Sequence, residues 1–517
     1  MPDPFYLTTA INYPNGRPHI GHAYEAIAAD VIARFQRWMG REVRFQTGTD
    51  EHGLKMARKA EEQGVTPREL ADDMSGHFRA MDETLDISFD RFIRTVEPEH
   101  HRASQALWEA MAAAGDLYLD RYEGWYSVRD EAYYDESELV GEGDERLSPQ
   151  GTPVEWTVEE SWFFRLSRYQ DKLLELLRAP GFCEPESRRN EMIAFVSGGL
   201  KDLSVSRTSF DWGVKVPGSD NHVMYVWVDA LANYLTGLGY PDDTADWRKF
   251  WPASLHLVGK DIVRFHTVYW PAFLMSAGLP VPRQVFGHGF ILNRGQKESK
   301  SVGNVTDPLE LAERFGVENL RYFLMREVAF GQDGSYSAEA IVNRCNAELA
   351  NSFGNLVQRT LSMIAKNMDG VLGSFSRTDD DAALLRQVRT ACRDELPREF
   401  AAMAFSQGIE AWMQAVWACN RYVDEQAPWA LKKTDPDRMK AVLLTLLLAI
   451  RDLALAIRPV VPAKAAAVLD MLGVAENARD HADFAADWFG ASVAAGHRIE
   501  PPTPVFPRLE LPSAEVA

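Results

Sequence analysis

Cysteine is scarce in this chain: Cys183, Cys345, Cys392 and Cys419 are the only four in 517 residues, and no two form a C-x-x-C pair. That excludes a disulfide-stapled scaffold and suits reduced thiols in a cytoplasmic protein. Long apolar runs are also missing. The longest, residues 441–450 with Thr445 inside it, is too short to cross a bilayer, so no membrane association is expected. The opening Met1-Pro2-Asp3-Pro4 carries neither a basic nor an apolar leader, so no targeting segment is expected. Positive charge is in deficit: 55 Lys and Arg against 75 Asp and Glu give a formal net charge of −20. A surface basic all over is therefore excluded, and any polyanionic partner must use a local basic track. Internal repeats are absent. The 46% hydrophobic and 25% charged residues are ordinary for a globular protein, and the length fits three or four structural units.

Against this plain background two short motifs stand out. Residues 5–10 read as a strand, Pro14-Asn15-Gly16 as a turn, and a helical pattern begins near Gly21 with Ile27, Val31 and Phe35 on one face and Gly40 as its stop. His19-Ile20-Gly21-His22 thus sits at a helix N-terminus, where the dipole and exposed backbone N–H groups favour phosphate. His19 and His22 can donate ring N–H bonds, and the bare Gly21 lets a base or ribose approach. Far downstream, Lys297-Glu298-Ser299-Lys300-Ser301 lies between Gly295 and Gly303. Lys297 and Lys300 suit the β- and γ-phosphates of a nucleotide, and Ser299 and Ser301 add hydroxyl donors. Cleaving ATP between its α- and β-phosphates needs such donors aimed at developing charge. The two motifs together, in an α/β pattern, point to nucleotide activation.

The chain resembles the class I aminoacyl-tRNA synthetases, whose signatures read HIGH and KMSKS. Further segments narrow the resemblance to the methionyl-tRNA synthetases: residues 10–16 (AINYPNG), 48–53 (GTDEHG), 225–230 (YVWVDA), 259–266 (GKDIVRFH) and 423–429 (VDEQAPW). It covers roughly residues 4–465. It implies a two-step ligase: methionine and ATP give methionyl adenylate and pyrophosphate, then methionine passes to the terminal ribose of tRNA(Met), initiator included. ATP is expected with Mg2+. Glu298 replaces the methionine of KMSKS and is expected to face solvent.

The resemblance also implies site residues. Asp50 would hold the substrate ammonium. Trp227, Ala230 and Tyr234 share one helical stripe, and Ile262, His266 and Trp270 another. By spacing alone either stripe fits a packed core; in the family these positions, with Ala10, Ile11 and Tyr13, form the methionine pocket. Sulfur is polarizable and a weak acceptor, so the Tyr13 hydroxyl or a His266 N–H is expected to read it. Gly259 and Asp261 match a ribose-binding element, and Arg207 matches an arginine that assists activation. Asn355, Arg359 and Trp429 match anticodon-reading residues, a set suited to unstacked bases.

The expected fold is an α/β doubly wound, Rossmann-like catalytic domain split by an insertion and followed by an α-helical anticodon-binding bundle. Residues 1–115 would form the first half of the nucleotide fold, 116–220 the insertion and 221–290 the second half. Residues 291–344 would carry the lysine loop, 345–470 the bundle, and 471–517 a short helix and Pro-rich tail. Many relatives hold zinc in the insertion with paired cysteines. Here Ser127 and Asp130 stand where a C-x-x-C would lie, so no structural zinc is expected. The Pro-rich end resembles no dimerising module, and a monomer is expected. A synthetase for another apolar amino acid, a silent tRNA-binding paralogue and a small nucleotidyltransferase sharing H-x-G-H are the competing readings. They fit the pocket stripes, the retained lysines and the helical C-terminal region less well.

Overall fold

The computed structural model of the chain describes residues 3–129, 132–141, 146–293 and 306–511. Its strands in chain order are β1 (Pro4–Thr9), β2 (Glu42–Thr49), β3 (Arg91–Arg94), β4 (Leu117–Ser127), β5 (Ala132–Tyr134), β6 (Glu155–Phe164), β7 (Cys183–Glu184), β8 (Leu203–Ser204), β9 (Ser206–Arg207), β10 (Val223–Met224), β11 (Leu255–Gly259), β12 (Val285–His288), β13 (Ile291–Asn293) and β14 (Gly334–Tyr336). Six of them form a parallel sheet in the order β3-β2-β1-β11-β12-β7. β1 is buried from Phe5 to Thr9, the continuous burial expected of a central parallel strand covered on both faces. The next element, α1 (Ile20–Trp38), buries Ile27, Val31 and Phe35, and Gly40 turns the chain at φ +84° just past its end. Two further helices, α2 (Leu54–Gln63) and α3 (Pro67–Thr84), connect β2 to β3.

The insertion builds its own antiparallel sheet in the order β5-β4-β6-β8, with a register running from Leu117↔Phe164 to Tyr126↔Glu155. It is less cleanly separated than 116–220 implies. β7 leaves it and joins β12 as the outer strand of the catalytic sheet. A two-residue strand is too short to carry a periodic signal. At Ser127, where a C-x-x-C would begin, lies a run of buried hydroxyls: Ser127 to Thr152 at 2.7 Å and Thr152 to Ser148 at 2.8 Å. Among the described residues no group of three or more His, Cys, Asp or Glu could hold a metal ion.

The C-terminal region is helical. Its central member, Pro436–Ile457, is buried on nearly every side, so the chain's longest apolar run is the axis of a bundle. Among the described residues no helix is long and apolar enough to cross a membrane. The bundle shares one continuous core with α1. Arg321 pins the two together, donating to Asp30 Oδ2 at 2.5 Å, to the Leu85 carbonyl at 3.2 Å and to the Val460 carbonyl at 3.0 Å. The Pro-rich tail packs on the bundle: Val505 and Phe506 are buried, and Leu509 exchanges hydrogen bonds with the Asn346 side chain.

Candidate active site

The sheet order reverses between β1 and β11, and ligands of such folds bind beyond the carboxyl ends of the strands at that crevice. A cavity of about 480 Å³ opens there. Of the residues singled out from sequence, Ala10, Ile11, Tyr13, His19, Gly21, His22, Asp50, Trp227, Ala230, Tyr234, Gly259, Asp261, Ile262 and His266 line it. Residues separated by up to 256 positions thus meet because four strand ends converge. Lys297, Glu298, Ser299, Lys300 and Ser301 lie outside the described residues. The positions that bracket them meet, with Asn293 Nδ2 donating to Thr306 Oγ1 at 3.2 Å, and Ile291, two residues earlier, lines the cavity.

The two histidines cap α1 themselves. His19 is the N-cap, and its Nδ1 accepts the Gly21 N–H at 3.0 Å; His22 Nδ1 accepts the His19 N–H at 3.1 Å. The expectation of free backbone N–H groups therefore changes, since the rings take up two of them. Because each Nδ1 accepts, each neutral ring carries its proton on Nε2. Gly21 is required by this cap: a Cβ there would lie 2.9 Å from His19 Cε1.

At the apolar end Tyr234, on the helix Val226–Thr236, places its hydroxyl 2.7 Å from His266 Nε2. His266 Nδ1 lies 2.9 Å from the Ile262 carbonyl, so Nδ1 carries the proton and Nε2 accepts from Tyr234. Burial pushes this ring down to about 4, so it is neutral at physiological pH. Tyr13 donates its hydroxyl to the His52 carbonyl at 2.9 Å. The expectation that Tyr13 or His266 offers a proton to sulfur is not met, because both protons are committed to the protein. Shape and polarizable ring surface remain, with Trp227 stacked on Phe265 at 3.8 Å. Trp270 does not line the cavity. Its indole N–H is held by His256 Nε2 at 3.3 Å behind the Tyr234 ring, so it supports the floor.

Asp50 reaches the cavity at the end of β2, and its N–H is fixed on the Asn12 carbonyl at 2.8 Å. The turn after it is anchored by buried charges that sequence reasoning missed. Glu51 is gripped by Arg94 through two 2.7 Å bonds. Asp229 is fully buried, with His52 Nδ1 and His100 Nε2 each 2.6 Å from its oxygens. Burial alone would raise its carboxyl, but the charge of His52 and hydrogen bonds from both rings hold it well below the usual carboxylate range. A second missed pair, His288 and Glu25, also lines the cavity. His288 donates Nε2–H to Glu25 at 2.7 Å and Nδ1–H to the Gly289 carbonyl at 2.8 Å. Burial opposes its charge, yet Glu25 raises its pKa above the ordinary value. The acidic position three residues after His22 was a usable signal for this pair; nothing local marked His100.

Arg207 does not line the cavity. It is buried on β9, donates to Ser204 Oγ at 3.1 Å and to the Ser206 carbonyl at 2.6 Å, and sits against the rings of Tyr126 and Tyr225. The anticodon candidates do come together on the bundle. The Arg359 guanidinium lies 5.5 Å from the Trp429 ring centre and 3.4 Å from Asp424, and Asn355 is exposed one turn before Arg359.

Comparisons with known proteins agree in both halves of the chain. Residues 5–361 match the family described as tRNA synthetases class I (M), and residues 373–515 match the anticodon binding domain of methionyl tRNA ligase. The methionine–tRNA ligase of Brucella suis biovar 1 is 57% identical over 514 residues, 98% of each chain. That of Mycobacterium bovis is 55% identical over 523 residues, again 98% of each. A crystal structure of Mycobacterium tuberculosis methionyl-tRNA synthetase bound by methionyl-adenylate superposes with a TM-score of 0.94 at 53% identity, covering 98% of this chain and 100% of that one. The free-state structure of the same enzyme gives a TM-score of 0.88 at 50% identity over 99% of each chain.

Proposed function

The chain belongs to the methionyl-tRNA synthetases of class I, and from that membership we propose how its residues divide the work. The reaction is the ligation of methionine to tRNA in two steps. A methionine carboxylate oxygen attacks the α-phosphorus of ATP and pyrophosphate leaves. A hydroxyl of the 3′-terminal ribose of the tRNA then attacks the adenylate carbonyl and AMP leaves. In our reading Asp50 holds the ammonium group, and Ala10, Ile11, Tyr13, Trp227, Ala230, Tyr234, Ile262 and His266 enclose the thioether by shape, with Trp270 behind. Asp261 accepts from the ribose hydroxyls and Gly259 makes room for the sugar. The Nε2–H groups of His19 and His22 meet the α-phosphate as charge develops there. Lys297, Lys300, Ser299 and Ser301 act on the β- and γ-phosphates, and Mg2+ would accompany ATP and offset its negative charge. Arg207 assists activation, and from its buried place against Tyr126 and Tyr225 it does so by positioning. Asn355, Arg359 and Trp429 read the anticodon of elongator and initiator tRNA(Met), and the enzyme works as a cytoplasmic monomer.

The observation that carries the assignment is the convergence of the histidine cap, Asp50, Asp261 and the Tyr234–His266 pair on one cavity. The test is ATP–pyrophosphate exchange without tRNA, run with each of the twenty amino acids. Exchange with methionine alone is expected. Exchange with another amino acid would keep the class and discard the pocket roles.

A further inference from the structure

Three tryptophans are exposed among the described residues: Trp156 at 55%, Trp429 at 51% and Trp417 at 37%. Two of the three share one surface of the helical bundle. Trp417 lies on the helix Phe405–Gln426, whose opposite face buries Ile409, Trp412, Val416, Cys419 and Val423. On that helix Trp417, Asn420 and Asp424 follow i, i+3, i+7 spacing and lie on one side. Asn420 Nδ2 donates to the Ser352 carbonyl at 3.3 Å, and Asp424 pairs with Arg359 at 3.4 Å. This side of the helix therefore faces the segment that carries Asn355 and Arg359. Trp417 stands about 10 Å along the axis from Asp424, and the exposed Arg421 is one turn from it.

We propose that Trp417 is a second stacking platform for the tRNA anticodon loop, taking an unpaired base that flanks those read at Trp429. The proposal rests on the reading of Asn355, Arg359 and Trp429 as anticodon contacts. An indole with an open face stacks on any base, and a guanidinium one helical turn away can hold the phosphate of the same nucleotide. Grouped exposed aromatics on a surface with arginines are the signature of single-stranded RNA binding, whereas a lone exposed apolar residue carries no such meaning.

The test uses the full chain and its tRNA. Trp417→Ala is expected to raise KM for tRNA about 5- to 50-fold, with ATP–pyrophosphate exchange unchanged. Trp417→Phe, which keeps an aromatic face, should restore most of the loss. Arg421→Ala should lower the salt dependence of tRNA binding by about one phosphate contact. If Trp429→Ala raises KM and Trp417→Ala does not, the proposal falls while the anticodon reading stands. If neither variant moves KM, both fall. Equal loss of exchange and transfer in the Ala and Phe variants of Trp417 would assign the residue to folding and overturn the proposal.

Discussion

Asp82 lies on α3 with its side chain 1% exposed, and neither carboxyl oxygen has a hydrogen-bond partner. Burial, and then the negative charges of Asp30, Glu25 and Glu83, push its pKa up to about 8; Arg79 opposes them weakly. In the unfolded chain the same group titrates near 3.8. Between those two values the folded protein keeps a proton that the unfolded chain has lost, so rising pH favours unfolding. The slope is ~1.4 kcal/mol per pH unit across the window, absent below it and level above it. Asp82→Asn keeps the volume and removes the titration. Its stability advantage over the parent should widen by ~3 kcal/mol between pH 5 and pH 7. Urea midpoints followed by tryptophan fluorescence at the two pH values measure this, with the midpoint compared directly because several structural units share the chain. The same advantage at both pH values would mean that Asp82 is ionised in the folded state, and the account of its burial would be wrong.

Gly21→Ala should drive the His19 ring off its cap, because the added methyl lies 2.9 Å from Cε1. Moving a ring that acts on the α-phosphate predicts a fall in exchange rate of about tenfold or more, while the lost cap, ~1–2 kcal/mol, shifts the thermal midpoint of so long a chain little. Arg321→Met strips the buried Asp30 of one partner and the carbonyls of Leu85, Pro459 and Val460 of a donor. It should cost ~3–5 kcal/mol in denaturant stability; a loss below about 1 kcal/mol would refute its role as the pin between catalytic fold and bundle. The low pKa of His266, about 4, means its charge is absent from pH 6 to 9 and appears only as pH falls through that value. The KM for methionine should therefore show no inflection near pH 6.5, and one that vanished in His266→Gln would contradict the buried neutral ring.

Local patterns carried the fold a long way. The burial of β1, the stripe of α1 and the run 441–450 follow from periodicity and composition, and the motif order announced a split parallel sheet followed by helices. The two-residue β7 escaped because sheet membership at that length is decided by its partner β12 alone. The same limit applied in the site. Trp270 keeps the spacing of its stripe, but a π-helical turn at Phe265–Tyr269 and the bond to His256 set its ring behind the pocket wall.

By itself the sequence determined which chemical groups are available: two histidines at a helix start, a loop of lysines, an aspartate after a strand, aromatic stripes and scarce cysteine. These depend on neighbours within a few residues. Only the tertiary structure decided what each group can still do. Whether a histidine proton is already given away, as in His266, depends on what the packed chain places against the ring. The same holds for the burial that raises the pKa of Asp82 and the Glu25 pairing that raises that of His288. Hydrogen-bond partners and dielectric surroundings are properties of the packed chain, and both arise only when distant segments meet.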